Sequence, residues 1–168
     1  MTRVRRVHHT GVSVADMERS LAFYRDLLGL EVTFDSDVRN HEGFEAVVAM
    51  EEARGRVVWL GAGDETILEL WQYENPKGRP LPTDYRPADH GVTHYALEVE
   101  DVHEVHRRIV EAGHAANASP QDLDLHLTTY VRGPDGEIIE ILEDRATEGR
   151  LRELTEASQR RRAARGVG

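Results

Sequence analysis

Apolar and polar positions alternate along residues 4–14, setting Val12 and Val14 on one face and His9, Gly11 and Ser13 on the other. That period of two predicts a strand. Asp16 then stands where an N-cap belongs, and Leu21, Tyr24, Leu27 and Leu28 recur at helical spacing until Gly29 stops the run. Residues 30–36, 45–50, 56–61 and 66–73 read as strands, being rich in Val, Ile, Phe and Trp. Polar breaks at Arg39-Asn40-His41-Glu42-Gly43 and Gly61-Ala62-Gly63-Asp64 separate them. Residues 74–91 hold four of the six prolines (Pro76, Pro80, Pro82 and Pro87), which suits a connection and not a central strand. The order then repeats. A strand is predicted at 92–99 and a helix at 102–112, carrying Val102, Val105, Ile109 and Val110 and closed by Gly113. Strands at 125–132 and 137–142 follow, joined by the turn Pro134-Asp135-Gly136. The tail from Asp144 is expected to form a helix through Leu151 and Leu154, with Arg160-Arg161-Arg162 as its solvated end.

The two halves share more than an order of elements. His9 and His94 each open a strand, and Asp16 and Asp101 each follow seven positions later. Each half closes on a strand with one carboxylate among aliphatics: Ile67-Leu68-Glu69-Leu70 and Ile138-Ile139-Glu140-Ile141. The expected organisation is a first module over residues 1–75, a Pro-rich linker over 76–91, a second module over 92–143 and a C-terminal helix or tail over 144–168.

Composition narrows the function classes. At 168 residues the chain has length for one ordinary domain, or two small halves sharing a core. A formal charge of −10 argues against a nucleic-acid partner, whose phosphates need clustered Lys and Arg. Without cysteine there is neither a disulfide nor a thiolate metal site. The stretch Met1-Thr2-Arg3-Val4-Arg5-Arg6 lacks the apolar run of a signal peptide, and no segment has the roughly 20 apolar residues of a membrane helix. The expectation is a cytoplasmic protein with no membrane partner.

Strand parity brings out the chemistry. Leu68 and Leu70 share one face of their strand and Glu69 takes the other; Ile139 and Ile141 stand in the same relation to Glu140. Each sheet must bury one face against its own helix, and the leucine and isoleucine pairs fit that face. Each glutamate therefore lies on the opposite face between apolar neighbours, where a carboxylate is costly unless paired, hydrogen-bonded or bound to a metal. A lone histidine at the head of a strand is usually a satisfied polar residue, and a lone strand glutamate usually faces solvent. Four such residues at matching places in two copies are harder to explain that way. Packed as pseudo-symmetric copies, the halves would line one concavity with His9, Glu69, His94 and Glu140, a suitable ligand set for one divalent ion.

The residues carrying this pattern also resemble a known family. His9-Thr10-Gly11-Val12, Val14-Ala15-Asp16-Met17-Glu18-Arg19-Ser20 and Phe23-Tyr24-Arg25-Asp26-Leu27-Leu28-Gly29-Leu30 resemble the opening motif of the vicinal oxygen chelate superfamily. That group includes glyoxalase I, methylmalonyl-CoA epimerase, extradiol dioxygenases and the fosfomycin and bleomycin resistance proteins. Gly133-Pro134-Asp135-Gly136-Glu137-Ile138-Ile139-Glu140 is similar to its closing motif. The resemblance spans about residues 5–143, leaving the tail and an insertion around 37–55 outside. It implies an α+β fold of two pseudo-symmetric βαβββ modules forming an open, cupped mixed sheet. It also implies a homodimer and a metal at His9, Glu69, His94 and Glu140, the ion being Zn, Ni, Co, Mn or Fe.

Three function classes follow from the resemblance. The first is a metal-dependent isomerase or lyase of the glyoxalase I or epimerase type, acting on a small molecule with vicinal oxygens. The metal would polarise a carbonyl, and Glu140 or Glu69 would move the proton beside it. The second is an Fe(II) extradiol-type dioxygenase. Tyr130, ten residues before Glu140, suits it; Gly133 and the short spacing from His126 to Tyr130 do not. The third is a ligand-binding or resistance protein without catalysis, and the full ligand set argues against it. By parity His126 and Tyr130 share a strand face and could orient substrate, while His41 could enter from a loop.

Overall fold

The computed structural model describes residues 3–63 and 65–165. Met1 and Thr2 of the N-terminal stretch, Asp64 of the expected turn and the last three residues of the tail lie outside the described residues. Two four-stranded sheets repeat one strand order: first, fourth, third, second. In the first module these strands are β1 (Thr10–Ser13), β2 (Glu31–Val38), β3 (Arg54–Ala62) and β4 (Glu65–Asn75); in the second, β5 (Tyr95–Glu98), β6 (Gln121–Asp122), β7 (His126–Arg132) and β8 (Ile138–Asp144). The first sheet is mixed, with β1 parallel to β4 and the β2–β3 and β3–β4 pairs antiparallel. This is the expected α+β architecture with a duplicated βαβββ plan.

The helices start as the sequence predicts. Helix α1 (Met17–Leu21) is capped by Asp16, whose carboxylate accepts from Arg19 N at 3.1 Å. It continues over Ala22–Leu27 as a π-helical turn that carries Phe23 and Tyr24, both fully buried, to Gly29 at φ +84°. In the second module Asp101 accepts from Glu104 N at 2.9 Å and starts α3 (Val102–Glu111), which buries Val102, Val105 and Ile109. Gly113 follows at φ +89°.

A second cap repeats as well. Gln72, three residues past Glu69, accepts from Met17 N at 2.9 Å; Glu143, three past Glu140, accepts from Val102 N at 2.9 Å. The Val102 amide, with Arg145 adding to it, holds the Glu143 carboxyl below its usual range. A depressed carboxylate contributes stability above its unfolded value and loses it as pH falls through the folded one. Stability should therefore decline on acidification below the ordinary glutamate value of about 4.3. Glu143→Gln, which copies Gln72, should keep the cap and flatten that part of the profile in denaturation measured from pH 6 to 3.

Several elements differ from expectation. Residues 45–50, read as a strand, belong to helix α2 (Glu42–Val48). His41 starts it by accepting the Phe44 N–H on Nδ1 at 3.0 Å, a role strand propensity does not reveal. The strands expected at 4–14 and 92–99 shorten to β1 and β5, so His9 and His94 each sit one residue before the first strand of their module. The tail forms helix α4 (Glu148–Ala164), capped by Thr147 and burying no residue.

The chain divides into two compact units. One comprises residues up to Tyr95 together with Arg132–Ile138; the other comprises Ala96–Val131 and the residues from Ile139 onward. The first is centred on Leu21, Phe23, Tyr24, Val58, Leu60, Leu68 and Leu70, all buried; the second on Val102, Ile109, Val131, Ile139 and Ile141 in their own packing.

Candidate functional site

Leu68 and Leu70 are buried while Glu69 between them is half-exposed, and Ile139 and Ile141 stand in the same relation to Glu140. Strand parity therefore places both glutamates on the outer faces. Each is steered by a neighbour across its hairpin. Trp59, in register with Glu69, donates its indole N–H to Glu69 Oε1 at 2.9 Å. Thr128 Oγ1 donates to Glu140 Oε1 at 2.8 Å. Neither orienting residue was singled out from the sequence, although counting outward from each turn places it near its glutamate.

The structure brings His9 and Glu69 together, with Nε2 and Oε2 3.4 Å apart. The other imidazole nitrogen, His9 Nδ1, lies 2.8 Å from His8 Nδ1. With His9 donating in that bond, its Nε2 carries a lone pair facing a carboxylate oxygen. With His8 donating instead, His9 Nε2–H donates directly to Glu69, so the pair is a hydrogen bond in one tautomer and two facing electron-pair donors in the other. Imidazole nitrogens and carboxylate oxygens are both common ligands of divalent metals. Gly11 lies across from Glu69 in the β1–β4 register, with nothing within 4 Å of where a Cβ would be.

His94 Nδ1 lies 3.2 Å from Thr93 Oγ1, and its ring lines a cavity of about 660 Å³ with Val12, Val14, Tyr85, Val92 and Tyr95. That volume suits a small molecule. His9 and Glu69 are not among its lining residues. Among the described residues no three His, Asp or Glu side chains form one group able to hold a metal. Tyr130 is half-buried, and burial, then the charge of Glu140, pushes its hydroxyl above the ordinary tyrosine range. His126 Nδ1 lies 3.4 Å from Asp144 Oδ1. His41 is the cap of α2 and not a loop histidine reaching a site.

The closing motif has a structural purpose of its own. The Tyr24 hydroxyl donates to Glu137 Oε1 and pairs with the Tyr95 hydroxyl, both at 2.5 Å, while Glu137 Oε2 accepts from Asp135 N at 2.9 Å. Burial, then the neighbouring Tyr95 and Glu137, keeps the Tyr24 phenol protonated well above its usual range. Asp135 accepts from Ala15 N and pairs with Arg19. A Cβ at Gly133 would lie 2.2 Å from Glu137 Oε1, so glycine is what lets that carboxylate reach Tyr24. Gly133→Ala should displace Glu137 and destabilise the fold by about 1–3 kcal/mol, read as a lower urea midpoint at unchanged slope.

The Glyoxalase/Bleomycin resistance protein/Dioxygenase superfamily profile matches residues 6–141. The chain is 27% identical to the lactoylglutathione lyase of Neisseria meningitidis over 146 residues, covering 84% of this chain and 92% of that one. It is 30% identical over 99 residues to a 2-epi-5-epi-valiolone epimerase from an Actinomyces species, covering 57% and 52% of the two chains. Among solved structures, a glyoxalase family protein from Bacillus cereus superposes with a TM-score of 0.75 at 18% identity, covering 85% and 96%. Duplicated topology, matched strand ends and the profile agree: the chain belongs to the Glyoxalase/Bleomycin resistance protein/Dioxygenase superfamily.

Proposed function

We propose that the protein is a metal-dependent isomerase or lyase of the glyoxalase I or epimerase type, moving a proton next to a carbonyl in a small molecule with vicinal oxygens. The observation that carries this reading is the His9–Glu69 pair at 3.4 Å, with Glu69 steered by Trp59 as Glu140 is steered by Thr128. Relatives named as a lyase and an epimerase support it.

His9 and Glu69 would hold one side of a divalent ion (Zn, Ni, Co, Mn or Fe), and His94 and Glu140 the other. Bound there, the ion supplies Lewis-acid polarisation of the substrate's oxygens. The protein's own residues do the rest. Glu140 would act as the base when it is not engaged with the ion, with Thr128 holding one of its oxygens. Glu69, held by Trp59, is the alternative proton carrier on the opposite side. Tyr130 remains a phenol at neutral pH and can donate to a substrate oxygen, with His126 on the same strand face.

The protein acts as a homodimer in this proposal, each metal taking ligands from both modules. Light scattering at micromolar concentration should give twice the 19.0 kDa chain mass; a single-chain mass would count against the dimer. Elemental analysis after purification without chelator or affinity metal should find one divalent ion per site. Protein that holds none, and takes up none on dialysis against these five ions, would overturn the reading.

A further inference from the structure

Helix α2 makes an aromatic contact with the first sheet. Helix α2 buries no residue, and Val47 on its outer side is 85% exposed. What joins it to the sheet is Phe44, whose ring stacks on Trp71 at 4.8 Å and 14° and lies 6.4 Å from Tyr73 at the same angle. Trp71 and Tyr73 are themselves stacked at 5.3 Å and 18°. Both share the outer face of β4 with Glu69, the nearer being two residues on, or about 7 Å along the strand.

The segment bearing Phe44 is fastened at its ends. Arg39 grips Glu74 through two hydrogen bonds of 2.7 and 2.8 Å, and Asn75 Nδ2 donates to Glu52 O at 3.0 Å. Between these anchors Asn40, Ala49 and Glu52 adopt left-handed backbone at φ 51–53°, where side-chain-bearing residues are uncommon. The result is a strap tied at both feet to the end of β4, with one aromatic ring as its central contact. A closing element of this kind is expected to open at little cost, because few apolar contacts must be broken.

We propose that α2 is a specificity lid, and that Phe44 occupies the place of a planar, conjugated group on the substrate. Such a group stacks on Trp71 and Tyr73 while the substrate's vicinal oxygens lie toward Glu69. This rests on the reading of His9 and Glu69 as half of the metal site. The preferred substrate class is therefore an aryl or otherwise conjugated compound with adjacent oxygens, in place of a short aliphatic one. Parallel rings at 4.8–5.3 Å already show the offset-stacked geometry that a flat ligand group would adopt.

Mandelate and lactate test this directly, since both present a hydroxyl beside a carboxylate and differ in phenyl against methyl. Titration calorimetry on protein carrying its retained divalent ion should show mandelate binding at least tenfold tighter than lactate. Trp71→Leu should bring that ratio near one, while Trp71→Phe preserves most of it, which separates lost stacking from misfolding. Phe44→Ala should tighten mandelate severalfold, by removing its internal competitor, and leave lactate unchanged. Retained metal with equal binding of both acids would overturn the lid alone, and so would weaker mandelate binding in Phe44→Ala. Absence of metal together with loss of both acids would overturn the proposed function and this inference with it.

Discussion

Glu140→Gln is expected to lower solvent deuterium exchange into substrate by about 10²–10⁴-fold, the usual contribution of a positioned base. The amide keeps an oxygen that could still ligate at the proposed site and an NH2 group that can partner the Thr128 hydroxyl, so metal content and fold should survive. The assay incubates metal-loaded protein with α-keto hemithioacetals, 2-methyl-3-oxoacyl thioesters and catechols, following deuterium incorporation and oxygen uptake together. Wild-type rates in Glu140→Gln would remove Glu140 as the base. Oxygen uptake with catechols and Fe(II), without exchange, would favour the dioxygenase reading. The expectation against it comes from ligand number. The four proposed ligands would leave about two positions on an octahedral ion, enough for two substrate oxygens and not for O₂ beside them.

The second large effect concerns the metal itself. On the proposed four-ligand site His94→Ala should retain less than about a tenth of the wild-type ion, because it would remove one of the two proposed nitrogen donors. His9→Ala should behave alike and also leave Glu69 facing no partner but Trp59. Full occupancy in either variant, measured by elemental analysis, would sink the four-ligand site. Replacing the outer partners should be milder, about 10–100-fold in metal affinity for Trp59→Phe or Thr128→Ala.

Much of this was legible in the sequence. The two caps, the stopping glycines and the orientation of both glutamates follow from local rules: short polar side chains capture free amides, and strand parity alternates. The duplicated order of elements was visible because each module must solve the same burial problem with the same pattern. Helix α2 was not, since Val47 and Val48 suggest a strand and only the capping geometry of His41 and the stack of Phe44 on Trp71 make a helix there. The orienting roles of Trp59 and Thr128 depend on hairpin register, which a bulge can shift by one residue; the β3–β4 ladder carries two such shifts. His94 sits one residue before β5, and the cavity beside it is lined in part by linker residues that no periodicity describes.

The closing turn Arg132–Ile138 lies in the repeat that begins near His94, yet it packs in the unit built by the earlier repeat. Genetic cutting within the Pro-rich stretch would therefore not yield two self-sufficient pieces. The leading fragment would lose the partners of the Ala15 amide and the Tyr24 hydroxyl, and the trailing one would carry Glu137 without the phenol that receives it. Co-expressed, the fragments have a reason to find each other, because each holds what the other leaves unsatisfied. Each repeat thus depends on the other for partners that its own stretch of chain does not supply.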